Sequence, residues 1–117
     1  MTNIETDIKI LLNLFNGAKY EMVITKSKGL IQKYPEYLVL YNILGSSYQN
    51  IGDLKLAKEI FTKGLKLEPN NIAIMNNLGN TLKNLGELES AEKLFQKIIK
   101  KKPNYINAYI NLGNLKR

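Results

Sequence analysis

Pro35, Pro69 and Pro103 are the only prolines of this 117-residue chain, and they stand 34 residues apart. Gly45, Gly79 and Gly113 keep the same interval. A fixed period of roughly 20–50 residues is the signature of a stacked repeat protein. Each repeat is then a supersecondary unit that cannot bury its apolar face alone, and stacking against its neighbours completes the core.

Aligned on the prolines, the chain reads as a single domain over residues 1–117. A divergent unit (4–37) precedes two complete units (38–71 and 72–105), and a half unit follows (106–117). Leu44, Leu78 and Leu112 precede the three glycines, while Ala57 matches Ala91, Phe61 matches Phe95 and Gly52 matches Gly86.

The pattern inside a unit is that of a helical hairpin. Tyr41, Leu44, Gly45 and Tyr48 fall at i, i+3, i+4 and i+7, one stripe of a 3.6-residue period, and Met75, Leu78, Gly79 and Leu82 repeat it. Gly52 and Gly86 end these first helices, because glycine accepts the left-handed conformation of a C-terminal cap. Asp53 and Glu87 then place negative charge in the first turn of the second helix, where the dipole favours it. Leu54, Ala57, Ile60, Phe61 and Leu65 form the buried stripe there, and Leu88, Ala91, Leu94, Phe95 and Ile98 do so one unit later. The prolines stop each second helix. The expectation is an all-α chain of seven helices with breaks near residues 17, 35, 52, 69, 86 and 103. Gly45 and Gly79 sit mid-helix, at a cost of about 1 kcal/mol each relative to alanine. That cost is understandable if the partner helix crosses there with Ala57 or Ala91 close against the backbone.

Composition narrows the function. The chain has no Cys and no His, hence no disulfide framework, no zinc cluster, no thiol nucleophile and no imidazole base to activate Ser46 or Ser47. Catalysis within this chain is not expected, nor is a cofactor or a metal. The net charge of +7 is nearly all lysine, with Arg117 the only arginine. Arginine is what bidentate reading of phosphates and guanines would favour, so no specific nucleic-acid partner is expected. Lys100, Lys101 and Lys102 suit a solvated helix end, where cations complement the dipole. Met1 to Phe15 carries no basic leader or small-residue cleavage site, and its Ile10-Leu11-Leu12 run is too short to span a bilayer. The expectation is a cytoplasmic chain without a membrane partner.

The residues of the two complete units resemble the tetratricopeptide repeat family. Its 34-residue pattern of a large residue, Leu-Gly, an aromatic or Leu, Ala, an aromatic and Pro is matched by Tyr41, Leu44, Gly45, Tyr48, Ala57, Phe61 and Pro69. Met75, Leu78, Gly79, Leu82, Ala91, Phe95 and Pro103 match it nearly as well. The resemblance implies a right-handed α-solenoid of about three and a half antiparallel hairpins. The first unit departs from the pattern: Asp7 takes the large-residue position, Leu11 the glycine, Val23 the alanine and Ser27 the aromatic. Leu11 is expected to hold its two helices farther apart than in the other units. At the other end, Tyr109, Leu112 and Gly113 supply a first helix with no second helix to cover it, which points to a longer array or to a homodimer through this C-terminal helix.

The resemblance also implies a concave face lined by the first helices. Its candidate peptide-binding residues are Asn42, Ser46 and Gln49; then Asn76, Asn77, Asn80 and Lys83; then Asn107, Asn111, Asn114 and Arg117. Lys55, Lys58, Lys63, Lys66, Lys93 and Lys97 fall on the second helices, on the convex side. An asparagine side chain offers donors and an acceptor, so it can match a peptide amide without reading a side chain. Asn77 with Asn111, and Asn80 with Asn114, are expected at matching places on adjacent helices, similar to the asparagine ladder in the repeat region of O-linked N-acetylglucosamine transferase. A second mode of the family, the carboxylate clamp for acidic chaperone C-termini, needs lysines and an arginine in the groove. Here Asn42, Ser46, Asn107 and Asn111 hold four of its five places and only Asn77 agrees. The implied function is a non-enzymatic interaction module that binds an extended peptide or a partner protein in its concave groove. Two alternatives are the N-terminal substrate-docking segment of a larger enzyme, of glycosyltransferase or sulfotransferase type, and a scaffold that self-assembles through its open C-terminal end.

Overall fold

The computed structural model describes residues 3–115. Seven helices follow one another, with no strand among the described residues: α1 (Ile4–Asn16), α2 (Tyr20–Lys33), α3 (Leu38–Asn50), α4 (Leu54–Leu67), α5 (Ile72–Asn84), α6 (Leu88–Lys101) and α7 (Ile106–Gly113). Every break falls where the prolines and glycines place it.

The turns show why the period is strict. Gly52 and Gly86 adopt φ of +84° and +83°. The amides of Asp53 and Glu87 reach back to the carbonyls of Tyr48 and Leu82, both at 2.9 Å, which closes a Schellman cap. In the first hairpin Lys19 makes the same bond to Leu14 at 2.9 Å, but the left-handed position is taken by Ala18 at φ 58°. Gly17 stands one residue too early to serve, at φ −86°. Asp53 and Glu87 lie at the N-cap, just before the first turn. The Asp53 side chain accepts the Leu56 amide, whereas Glu87 turns outward and pairs with Lys58 of α4 at 2.9 Å. At the proline turns the Tyr41 and Tyr109 hydroxyls donate to the carbonyls of Pro35 and Pro103, each at 2.8 Å. Burial, and secondarily the Glu36 carboxylate, raises the Tyr41 phenol above its ordinary range.

Packing inside a hairpin centres on the mid-helix glycines. What lies nearest Gly45 and Gly79 is a phenylalanine ring. A Cβ at Gly45 would come within 2.4 Å of the Phe61 ring, and one at Gly79 within 2.6 Å of the Phe95 ring. Ala57 and Ala91 are fully buried nearby in the same core. The first hairpin inverts the arrangement: Leu11 fills the glycine position, Ser27 the phenylalanine position, and both are fully buried. The α1–α2 pair is also packed far less closely than α3–α4 or α5–α6, as expected from a leucine in place of the glycine.

A similar exchange joins successive repeats. Gly64 of α4 gives room to Ile74 of α5, whose Cδ1 lies 3.0 Å from where a Cβ would stand. One repeat later Ile98 and Ala108 hold the equivalent positions, both fully buried.

Successive odd-numbered helices approach one another closely, as α1 does α3, α3 does α5, and α5 does α7. Even-numbered helices contact only the odd helices beside them. The stack thus curves with α1, α3, α5 and α7 inside and α2, α4 and α6 outside. The result is elongated, 48 × 26 × 21 Å. No helix of the described residues is long and apolar enough to cross a membrane.

Candidate peptide-binding groove

The inner layer owes its character to what the odd helices do not carry. Most of their apolar residues are spent on the core, with Val39, Ile106, Tyr109 and Ile110 left exposed. The polar groups of α3, α5 and α7 are amides and hydroxyls, with no carboxylate and with Lys83 as the only cation. Lys55, Lys58, Lys63 and Lys66 lie on α4, and Lys93 and Lys97 on α6, in the outer layer.

The asparagines do meet, with a register the periodicity alone did not give. Asn77 Nδ2 donates to Asn42 Oδ1 at 2.7 Å, and Asn111 Nδ2 donates to Asn76 Oδ1 at 2.9 Å. These rungs join residues 35 apart, so each asparagine reaches the position beside its own repeat equivalent. Asn77 and Asn111 therefore do not pair with each other; each donates to the preceding odd helix. All four side chains are half-buried. Behind the first rung, the buried Thr81 hydroxyl donates to the Asn77 carbonyl at 3.0 Å, which fixes that turn of α5.

The other candidates divide. Ser46, Gln49, Asn80 and Lys83 are half-buried on α3 and α5, and the Asn80 side chain makes no hydrogen bond with the described residues. Asn107 and Asn114 are exposed near the two ends of α7, and Arg117 lies outside the described residues. At the positions equivalent to Asn42 and Asn76 the end helices carry Ile8 and Ile110, and the amide rungs join α3 to α5 and α5 to α7.

Residues 52–115, more than half of the chain, match the tetratricopeptide repeat model. The chain belongs to the tetratricopeptide repeat (TPR) family. Solved TPR structures superpose on it closely. The first TPR domain of Spaghetti (RPAP3), bound to the HSP90 peptide SRMEEVD, does so with a TM-score of 0.88 at 20% identity, over 92% of this chain and 85% of that one. The second TPR domain of human RPAP3, in complex with the HSP70 peptide SGPTIEEVD, gives 0.89 at 20% identity, over 95% and 92%. MamA gives 0.88 at 24% identity, with 95% of this chain covering 65% of that one. At these identities the likeness establishes the fold. No protein of curated function matches the sequence.

Two features of the site escaped the sequence. The 35-residue pairing could have been sought by scanning for asparagines one position off the repeat. Tyr41 and Tyr109 each follow a proline by six residues, which marks their shared hydrogen bond to the proline carbonyl.

Proposed function

We propose that this TPR domain is a non-enzymatic interaction module that holds an extended, uncharged peptide segment along the inner faces of α3, α5 and α7. The observation that carries the reading is the pair of amide rungs. Each rung uses one donor and one acceptor, which leaves the Nδ2 group of Asn42 or Asn76 and the Oδ1 of Asn77 or Asn111 without a partner among the described residues. A free donor beside a free acceptor complements one peptide unit. Held in a rung, each amide is already oriented, so less side-chain entropy is lost on binding.

The acidic chaperone peptides carried by the RPAP3 domains are a poor match for this groove. The clamp positions here are neutral, and Asn42, Asn77 and Asn111 are engaged with other amides. A carboxylate moved there from water would lack the cation that offsets its desolvation.

The test is selection of binders from a random peptide library, followed by affinity measurement on variants. Asn77→Ala and Asn80→Ala should each weaken the selected peptides about fivefold, the loss of one hydrogen bond, while Lys97→Ala on the outer layer should leave affinity unchanged. Affinity insensitive to both asparagines but lost with Lys97 would overturn the reading.

Self-association is a second reading, favoured by α7. Ile106 is 70% exposed, Ile110 53% and Tyr109 48%, and nothing lies within 4 Å of a Cβ built on Gly113. Leu112 is instead turned toward the core, so the residue to change is Ile110. A dimer formed through this patch should weaken in Ile110→Glu when mass is followed against concentration, and a monomer at high micromolar concentration would exclude it.

A further inference from the structure

The inner face is not uniform along its length. Ser46, Asn80 and Asn114 share one groove position, and in the first repeat that position is Leu12. Gln49 and Lys83 share another, and there the first repeat has Phe15. Two open cavities flank α3 near this end, and both are lined in part by Asn42. One, of about 160 Å³ between α1 and α3, is bounded by Leu12, Phe15, Ile43 and Ser46. The other, of about 220 Å³ between α3 and α5, is bounded by Leu38, Val39, Ala73 and Ile74, with Asn71. Leu12 and Val39 are 43% and 37% exposed at their rims.

We propose that this end of the groove recognises a peptide segment with two large apolar side chains three positions apart, seated in the two cavities, while Asn42 holds the backbone between them. This rests on the groove reading above and specifies its ligand. The occupant's chemistry follows from the lining. The walls are aliphatic and aromatic apart from the neutral Asn42, Ser46 and Asn71. Helices α3 and α5 offer no carboxylate and no cation except Lys83, and Glu5, Asp7 and Lys9 of α1 line neither cavity. A charged side chain seated there would be desolvated without a partner in the walls. Between the cavities Asn42 has its Oδ1 occupied by Asn77 and its Nδ2 free to donate to a peptide carbonyl. The spacing follows from helix packing. The cavities lie on either side of α3, and neighbouring helix axes stand about 8–10 Å apart. A polyproline-type chain returns a side chain to the same side every three residues, after about 9 Å.

The probe is a capped, fluorescein-labelled ten-residue peptide of Ser, Asn and Gly with leucines at its fourth and seventh positions, followed by fluorescence anisotropy. It should bind saturably, and about tenfold more weakly when both leucines are replaced by serine or set side by side. Leu12→Ser and Val39→Ser should each cost about fivefold, with circular dichroism unchanged because both side chains are partly exposed. Met22→Ser, on α2 and also exposed, should have no effect. Failure to bind, or binding indifferent to leucine spacing and to both variants, would overturn the inference. If library-selected peptides meanwhile remain sensitive to Asn77→Ala, the groove reading stands and only the apolar pair falls. Saturation that depends on protein concentration and is abolished by Ile110→Glu would mean that a second copy occupies the cavities, and would overturn it too.

Discussion

The first hairpin and the two that follow fill their crossings with different residues, and the first is much the more loosely packed. In α3–α4 and α5–α6 a glycine on the first helix receives a phenylalanine ring from the second. In α1–α2 the first helix supplies the volume, as Leu11, and the second withdraws to Ser27. The difference teaches that close approach of the two helices goes with the glycine–ring pair, while Leu11 with Ser27 gives a looser crossing. It also has a functional side. The first hairpin carries Leu12 and Phe15 where the later repeats carry polar groove residues, so the departure from consensus gives the inner face its apolar end.

The comparison breaks most visibly at the rings. Phe61→Ser, which copies the first hairpin's residue without its partner, should cost about 3–5 kcal/mol in a denaturant titration. Adding Gly45→Leu to Phe61→Ser should restore part of that loss, with a coupling of about 1–3 kcal/mol. Strict additivity would mean that the two crossings are not alternative solutions of one packing problem. Gly79→Leu alone should cost about 1–3 kcal/mol through overpacking against Phe95. Lys93→Leu on the exposed face of α6 should stay within about 0.5 kcal/mol, and equal effects at the two sites would contradict the register.

Smaller effects should come from the turns and the buried hydroxyls. Ala18→Gly should stabilise by about 1 kcal/mol, because it relieves a left-handed alanine, and Gly52→Ala should destabilise by a similar amount. The same sign at both positions would show that the turns are not equivalent. Ser27→Ala should stabilise by about 1 kcal/mol, since the Ser27 hydroxyl is buried without a partner.

The helix boundaries were legible in the sequence because proline and glycine act on their own backbone, and three repeats of one period confirm each other. The inner layer was legible for the same reason, once Asn42, Asn76 and Asn111 were placed on first helices. Contacts between helices were not. That the Phe95 ring comes nearest Gly79 depends on where two axes cross. The asparagine rungs depend on the offset between neighbouring helices, which moved the pairing from 34 residues to 35. Gly64 went unnoticed because its repeat equivalent is Ile98, and only the contact with Ile74 reveals the exchange.

The central claim, that a peptide is held by the inner-layer amides, is tested most directly by the side-chain NH₂ resonances of the isotope-labelled domain. On titration with a library-selected peptide, the signals of Asn42, Asn76, Asn77, Asn80 and Asn111 should shift and saturate together. Those of Gln96, exposed on α6 in the outer layer, should stay fixed. Saturating shifts at Gln96 with the five asparagine signals unmoved would contradict it.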